Sequence, residues 1–494
     1  MHANHATSIR SCLAALLLLF SAGLAAAQGV SPINYNSSLF NRGAFNLQGQ
    51  GARAMGMGGA FIAVADDATA ASWNPAGLDQ LTRPEISLVV NRFARSYHTY
   101  QDETLAMEPP ATGGSALLRY NDEGQADATN INFFSTTYPL EIKNHRFVVQ
   151  FSYNRLLHFT NSEEFWEQQN ILSAPPDGPF STERYNLFSS ADGGIDAYTF
   201  SLGTTAGRGV RVGASLNYLK VEARDITVTD AASVTPPTDG SIYQEFFTQV
   251  ENFNYDFSGF TFDLGVLWKI HDMFQAGAVY HSGFSRNNFD YRYSIKEFAR
   301  RSDGTSTTLD FNASGQGEIH WPNGYGFGAA FKPITPFTVA LDYSRSNWSE
   351  GKATVTTGNT FERQYPLLLP DSRQKDTGSL RVGAEYVFTT ANRLAIPLRG
   401  GFFREDQLQN FFQNEVGEDL PTPVYQGFSL GSGLTYKFFE FDIAYVRMVG
   451  SEDLLGTYRF EGGDGVSATP YTKSFSNNYD SRLNRLLVSI IIRF

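Results

Sequence analysis

Residues 337–344 read FTVALDYS, and the two sides of this stretch differ in chemistry. Phe337, Val339, Leu341 and Tyr343 fall on one side, while Thr338, Ala340, Asp342 and Ser344 fall on the other. Successive side chains point to opposite faces only in an extended chain, so a period of two predicts a strand with one apolar and one polar face. The pattern recurs along the chain. Phe147, Val149, Phe151 and Tyr153 stand against Gln150, Ser152 and Asn154. Val210, Val212, Ala214, Leu216 and Tyr218 stand against Arg211, Gly213, Ser215 and Asn217, and Phe439, Phe441, Ile443 and Tyr445 against Glu440, Asp442 and Ala444. Periodicity alone leaves two architectures open: a soluble sandwich with the greasy face in its core, or a barrel with that face turned to lipid.

The spacing of the strands separates the two. Fourteen stretches carry the pattern: 85–98, 129–139, 145–159, 196–206, 209–226, 259–270, 274–295, 315–332, 337–357, 376–389, 394–406, 426–436, 439–450 and 482–494. A long connection follows each odd stretch and a short one each even stretch, such as 271–273 or 333–336. Short turns at one rim and long loops at the other suit an up-and-down barrel in an outer membrane, where one rim faces the periplasm. A sandwich has no reason to sort its loops this way. The terminus agrees: in NRLLVSIIIRF, Leu486, Val488, Ile490, Ile492 and Phe494 alternate with Arg485, Ser489 and Arg493. Such a last strand, ending on an aromatic residue, resembles the signal by which barrel assembly machinery takes up its clients. The sequence therefore predicts an all-β, transmembrane antiparallel β-barrel of about 14 strands. Closure is required because lipid offers no hydrogen-bond partner to an open sheet edge.

Composition is consistent with this. Aromatic residues make up 14% of the chain, with 41 Phe and 24 Tyr, and no exported segment is an 18-residue apolar run of the kind a helical span requires. Arg10 precedes an apolar run from Leu13 to Leu24 that closes on Ala25-Ala26-Ala27, which predicts a secretory signal peptide over 1–27. The single cysteine, Cys12, lies inside it, so neither disulfides nor thiolate metal sites are expected after export. The exported chain has 37 basic and 50 acidic residues, a net charge of about -13 that argues against nucleic acid as a partner.

Ahead of the first strand, residues 28–84 are expected to form an N-terminal plug, or hatch, with the barrel proper over 85–494. A barrel of fourteen strands is too wide for its own side chains to fill. Residues 51–78, GARAMGMGGAFIAVADDATAASWNPAGL, are rich in small residues and cannot bury enough apolar surface to fold alone. Asp66 or Asp67 is expected to cap a short helix over Ala68–Ser72, which Pro75 would end. This stretch, with Ala-Asp-Asp-Ala and Trp-Asn-Pro-Ala-Gly-Leu, resembles the amino-terminal hatch of the long-chain fatty-acid and hydrocarbon transporters of Gram-negative outer membranes (the FadL/TodX type). The resemblance continues at Asp342-Tyr343, Leu380 to Tyr386, Pro397 to Gly401 and Phe494.

The resemblance implies a plugged fourteen-stranded barrel with a hydrophobic lumen pocket, passive release of ligand sideways into the membrane, and a wall opening in the third strand. The segment 145–159 has neither glycine nor proline to mark a kink there. It also implies a fatty acid or hydrocarbon as ligand, outer-membrane lipid around a monomer, and no cofactor. The family's hatch motif maps onto Asn74, Pro75 and Ala76. Candidate pocket groups in the plug are Phe61, Ile62, Val64, Trp73 and Leu78, for which plain packing against the wall is an equal alternative. Candidate outer contacts are Phe165, Trp166, Ile171 and Leu172 in the second long loop, and Phe246, Phe247, Val250 and Phe253 in the third, for which simple loop packing is the favoured alternative. Asp263, Asp342, Arg381, Glu385, Arg399, Glu440 and Asp442 read first as an internal polar network. Should a carboxylate bind among them, Arg381 or Arg399 would hold it.

Two other function classes compete. A binding or assembly component of a secretion system would share the hatch-like start. An outer-membrane lipase would use Ser429, which lies in the Gly-x-Ser-x-Gly pattern of 427–431, but a nucleophile elbow needs a following helix and here more strand follows. The histidines of the exported chain show no metal-ligand spacing, and Asp66-Asp67 alone is too few oxygens for calcium.

Overall fold

The computed structural model describes residues 49–494 apart from 107–114, 144, 160, 173–180, 236–242, 358–374, 409–420 and 461–470. The chain forms one antiparallel sheet closed on itself. Its strands are β1 (Glu85–Ala106), β2 (Ser115–Ile142), β3 (His145–His158), β4 (Asn161–Leu172), β5 (Ser181–Gly207), β6 (Val210–Thr235), β7 (Tyr243–His271), β8 (Phe274–His281) and β9 (Phe284–Arg301). There follow β10 (Ser306–Trp321), β11 (Gly324–Ile334), β12 (Phe337–Ser346), β13 (Lys352–Thr357), β14 (Thr377–Thr389), β15 (Ala395–Asp406), β16 (Val424–Tyr436), β17 (Phe439–Phe460) and β18 (Tyr471–Arg493). β3 and β4 both pair with β2 and β5 and are two parts of one wall strand; β8 with β9, β10 with β11, and β12 with β13 are likewise interrupted strands. The wall thus has the fourteen strands expected, and β1 pairs with β18 from Glu85↔Arg493 to His98↔Asp480 to shut it.

The two faces are sorted as the alternation requires. In β12, Thr338, Ala340 and Asp342 are buried in the lumen, and Leu341 and Tyr343 are exposed on the outside. The same outward face carries Phe151, Phe260 and Leu430 at 60%, 63% and 59% exposure. Large apolar side chains left that open to the surroundings over a whole circumference fit acyl chains as the solvent. A ladder of rings crosses neighbouring strands at the outer edge of this band, Tyr153–Tyr198 at 5.6 Å, Tyr198–Tyr218 at 6.4 Å and Tyr218–Phe260 at 5.2 Å. Charged pairs such as Arg155–Asp196, at 2.9 Å, stand just above it. That sequence of apolar band, aromatic ring and charge marks the boundary of the outer leaflet.

Two expectations are corrected. Five of the seven long connections are much shorter than predicted, because the strands beside them continue above the membrane as paired hairpins, while those between β13 and β14 and between β15 and β16 keep the expected length. β4 occupies 161–172, so Phe165, Trp166, Ile171 and Leu172 lie on a strand, as do Phe246, Phe247, Val250 and Phe253 in β7. Above the lipid both faces of a strand meet water, so the apolar period that marks a membrane strand fades while pairing persists. The plug is also built differently. Residues Ala52–Gly56 form a single α-helical turn, α1, and Ala70–Ser72 only a 3₁₀ turn. Pro75 begins rather than ends a turn: it stands first in a 3₁₀ segment, Pro75–Gln80, whose cap is Asn74. Proline suits that place because its missing N–H would have no helical partner there.

Candidate functional site

Residues 49–81 lie inside the barrel, where Phe61, Val64, Trp73 and Leu78 join a buried cluster with wall residues Val89, Phe133, Val148 and Leu487. Trp73 stands edge-on to Phe61 at 5.9 Å and donates from Nε1 to the Gln50 carbonyl at 2.8 Å. Ile62, 7% exposed, rests on the wall at Gly326 and Gly328. The plug candidates are therefore packed against wall in this state of the molecule.

The Asn-Pro-Ala motif has a dedicated seat. Gly203, Gly213 and Gly265 are register partners on β5, β6 and β7 and make a patch without side chains. A Cβ on Gly213 would overlap the backbone of Pro75 and Ala76, and one on Gly265 would overlap the Asn74 side chain. The fully buried Asn74 amide fixes the seat. Its Oδ1 accepts the Ala76 N–H at 3.1 Å, and its Nδ2 donates to the carbonyls of Ile62 and Val266, each at 3.1 Å. A second such patch, Gly383 and Gly401, receives Met57 and Gly58 on the opposite wall.

Charge holds the plug as well. Arg53 reaches Glu385 of β14 at 2.9 Å and Asp66 at 2.6 Å. Glu385 is shared with Arg399, at 2.6 Å, and Arg399 also meets Asp442 at 2.5 Å. Arg381 pairs with the buried Glu405. Asp342 accepts the N–H groups of Phe61 and Ile62 through Oδ2, at 2.6 and 2.7 Å. Asp79 is met by Arg146, Arg211 and Thr205. The lumen charges thus form the polar network expected first, and both candidate head-group arginines are engaged in it by wall carboxylates. Within the plug, burial pushes the Asp67 carboxyl above the usual carboxylate range, against the opposing pull of Arg53. Ser429 is tied to the plug backbone, accepting from Gly58 N–H at 2.8 Å and donating to the Gly56 carbonyl at 3.0 Å. It sits within β16 with no helix after it, which is not the setting of a nucleophile elbow.

Above the plug lies a second apolar cluster that the sequence reading did not pick out. It joins Leu157, Phe159, Ile195, Leu219, Val221, Phe257, Phe284, Phe289, Ile319, Trp321, Trp348 and others. Phe284, Trp321 and Trp348 come from the ends of interrupted strands that stop at neighbouring positions. The Phe284 and Trp321 rings stack at 6.2 Å, and Trp321 meets Trp348 edge-on at 5.0 Å. Pro322 supplies one cause, since a proline cannot donate to the ladder. The signal was present in the sequence as large apolar residues on the face that is otherwise small or polar.

This cluster borders a break in the wall. β2 pairs with β3 up to Phe133↔Asn154, and pairing resumes with β4 at Gln125↔Ser162. Between these points, among the described residues, 126–132 of β2 have no partner in β3 or β4. On the other side β3 carries a bulge between Arg155 and Leu157. The third wall strand is thus interrupted although it holds neither glycine nor proline between 145 and 159; the bulge and the end of β3 at His158 do that work.

A closed, plugged outer-membrane barrel with an apolar upper lumen is the architecture of a transport protein. The chain belongs to the outer membrane protein transport family (OMPP1/FadL/TodX), whose sequence profile matches residues 35–459. Among solved structures, a Pseudomonas aeruginosa FadL homologue aligns over 91% of this chain and 100% of its own, with 13% identity and a TM-score of 0.59. The Pseudomonas putida toluene transporter TodX aligns over 93% and 100%, with 13% identity and a TM-score of 0.52. CymD, a monoaromatic hydrocarbon channel, aligns over 91% and 99%, with 16% identity and a TM-score of 0.51. At such identities the likeness is one of fold. No individually curated protein sequence matches.

Proposed function

We propose that this protein passively carries hydrophobic small molecules, long-chain fatty acids or hydrocarbons, from outside the cell into its outer membrane. The observation that carries this reading is the aromatic and aliphatic cluster of the upper lumen, which reaches the wall break through Leu157 and Phe159. Transfer of an alkyl chain out of water contributes about 0.8 kcal/mol per methylene buried, so a greasy solute gains far more from this lining than from a water-filled pore. Ligand entering from the outer hairpins settles among Phe257, Phe284, Trp321 and Trp348. It leaves through the gap between β2 and β3, whose position at the aromatic ring of the barrel opens onto the outer leaflet.

The plug closes the route downward. Phe61, Ile62, Val64, Trp73 and Leu78 become ligand contacts only when the plug shifts, and the Asn74-Pro75-Ala76 seat sets where it returns. The test is uptake. A deletion strain given labelled oleate or toluene takes it up more slowly, and complementation with Trp321→Ala restores less than the unaltered gene. Unchanged uptake across a panel of such solutes on deletion removes the proposal.

A further inference from the structure

The inner mouth of the wall gap is polar, in contrast to the lumen behind it. Asn130 and Asn132 of β2 face His158 of β3 across the unpaired stretch. Asn130 Nδ2 lies 3.2 Å from His158 Nδ1, and His158 Nε2 lies 3.4 Å from Asn132 Oδ1. Asn132 also meets the plug through Gln50. Asn91 of β1 is the register partner of Asn130, and Asn154 of β3 is the partner of Phe133, next to Asn132. Asn91 and Asn154 are 2% and 7% exposed. The side-chain oxygens of Asn91, Asn130 and Asn154 are buried and accept no hydrogen bond. A buried amide oxygen left unmatched is unfavourable, and these three lie on adjacent strands at or beside the unpaired stretch of β2.

We propose that these amides are a subsite for an uncharged hydrogen-bond donor, a hydroxyl foremost, carried at one end of an otherwise apolar ligand. The inference rests on the transport reading above and narrows its substrate class. A hydroxyl donates to an orphaned amide oxygen and leaves its alkyl or aryl body against Phe93, whose ring lies 5.2 Å from His158, and against Leu157 and Phe159. A carboxylate has only acceptors to offer and would stand oxygen against oxygen. Two cations bear on His158 among the described residues: Arg155, paired with Asp196 at 2.9 Å, and Arg485, which faces the lumen as the register partner of Phe93, within the field of Glu405. Arg381 and Arg399 are held by Glu405, and by Glu385 and Asp442, respectively.

The experiment is equilibrium binding of labelled 1-dodecanol, dodecane and laurate to the immobilised, detergent-solubilised full-length protein at pH 7.5. Dodecanol is expected to bind about tenfold more tightly than dodecane, and more tightly than laurate. In Asn91→Leu/Asn154→Leu the preference for the alcohol over the alkane falls below about twofold while dodecane is held as before. Heat-modifiable gel mobility shows whether that variant is folded, and the three-ligand comparison on the unaltered protein decides the matter even if it is not. Equal binding of dodecanol and dodecane overturns the subsite and leaves the transport reading standing. A preference for laurate that disappears in Arg485→Gln also overturns it, since the head group is then a carboxylate on that cation. Failure of all three to bind overturns the transport reading with it.

Discussion

Asn74→Ala is the substitution that separates plug from barrel. The amide is fully buried; it caps the turn at Ala76 N–H, and it donates to the Ile62 carbonyl within the plug and the Val266 carbonyl of the wall. Val266 belongs to the β7 ladder, so its carbonyl keeps a backbone partner on the strand. The uncompensated losses are the Ala76 N–H and the Ile62 carbonyl. Each buried group left unsatisfied costs roughly 1–3 kcal/mol. Together the loss is about 2–6 kcal/mol, a shift of roughly 30- to 20,000-fold in the balance between seated and displaced plug. None of it falls on strand pairing. The variant should therefore keep heat-modifiable gel mobility, while trypsin cleavage after Arg53, mapped by mass spectrometry, accelerates by at least an order of magnitude. Uptake of a hydrophobic solute should slow severalfold, because a plug without a fixed seat leaves water in place of an ordered apolar route. Normal uptake together with an unchanged rate of cleavage at Arg53 would refute the assignment of Asn74 as the pin of the plug.

Other outcomes follow from the same geometry. Gly213→Ala puts a methyl group into the backbone of Pro75 and Ala76, an overlap costing about 1–3 kcal/mol; the folded barrel should persist with faster cleavage at Arg53, whereas Gly400→Ala, whose added carbon meets nothing nearer than the Ser429 carbonyl at 3.9 Å, should leave that rate unchanged. Arg399→Ala takes the guanidinium away from Asp442 and leaves Glu385 with Arg53 alone, and loss of one partner of a buried pair costs about 3–5 kcal/mol. It should lower the temperature at which the barrel's gel mobility changes without altering laurate affinity, and a selective loss of laurate binding would show Arg399 to be a head-group contact after all. Burial raises the Asp67 carboxyl, so in the seated plug this group holds its proton more tightly than in the released one. Its contribution is fullest at low pH and declines as pH rises through the seated value. Asp67→Asn should thus flatten the pH dependence of cleavage at Arg53 between acid and neutral pH, and an unchanged profile would rule out Asp67 as its source.

The wall could be read from residues close together along the chain. Alternation in FTVALDYS and its counterparts, the sorting of short turns to one rim and the last strand ending at Phe494 are local properties, and in lipid only closure satisfies the backbone of such strands. The plug was legible as a segment because Gly51 to Leu78 is too small and weakly apolar to fold alone. Tertiary structure decided the rest. The Gly203-Gly213-Gly265 seat exists only when three strands come into register, each glycine being unremarked in its own strand. Likewise the aromatic cluster needs Phe284, Trp321 and Trp348 brought level by separate interruptions. The wall break depends on a mismatch between the pairing of β2 and that of its neighbour, and no property of 145–159 alone announces it. Side-chain period reports what one strand shows its two faces; which strands share a level, and which atoms are left without a partner there, depends on contacts between residues hundreds of positions apart.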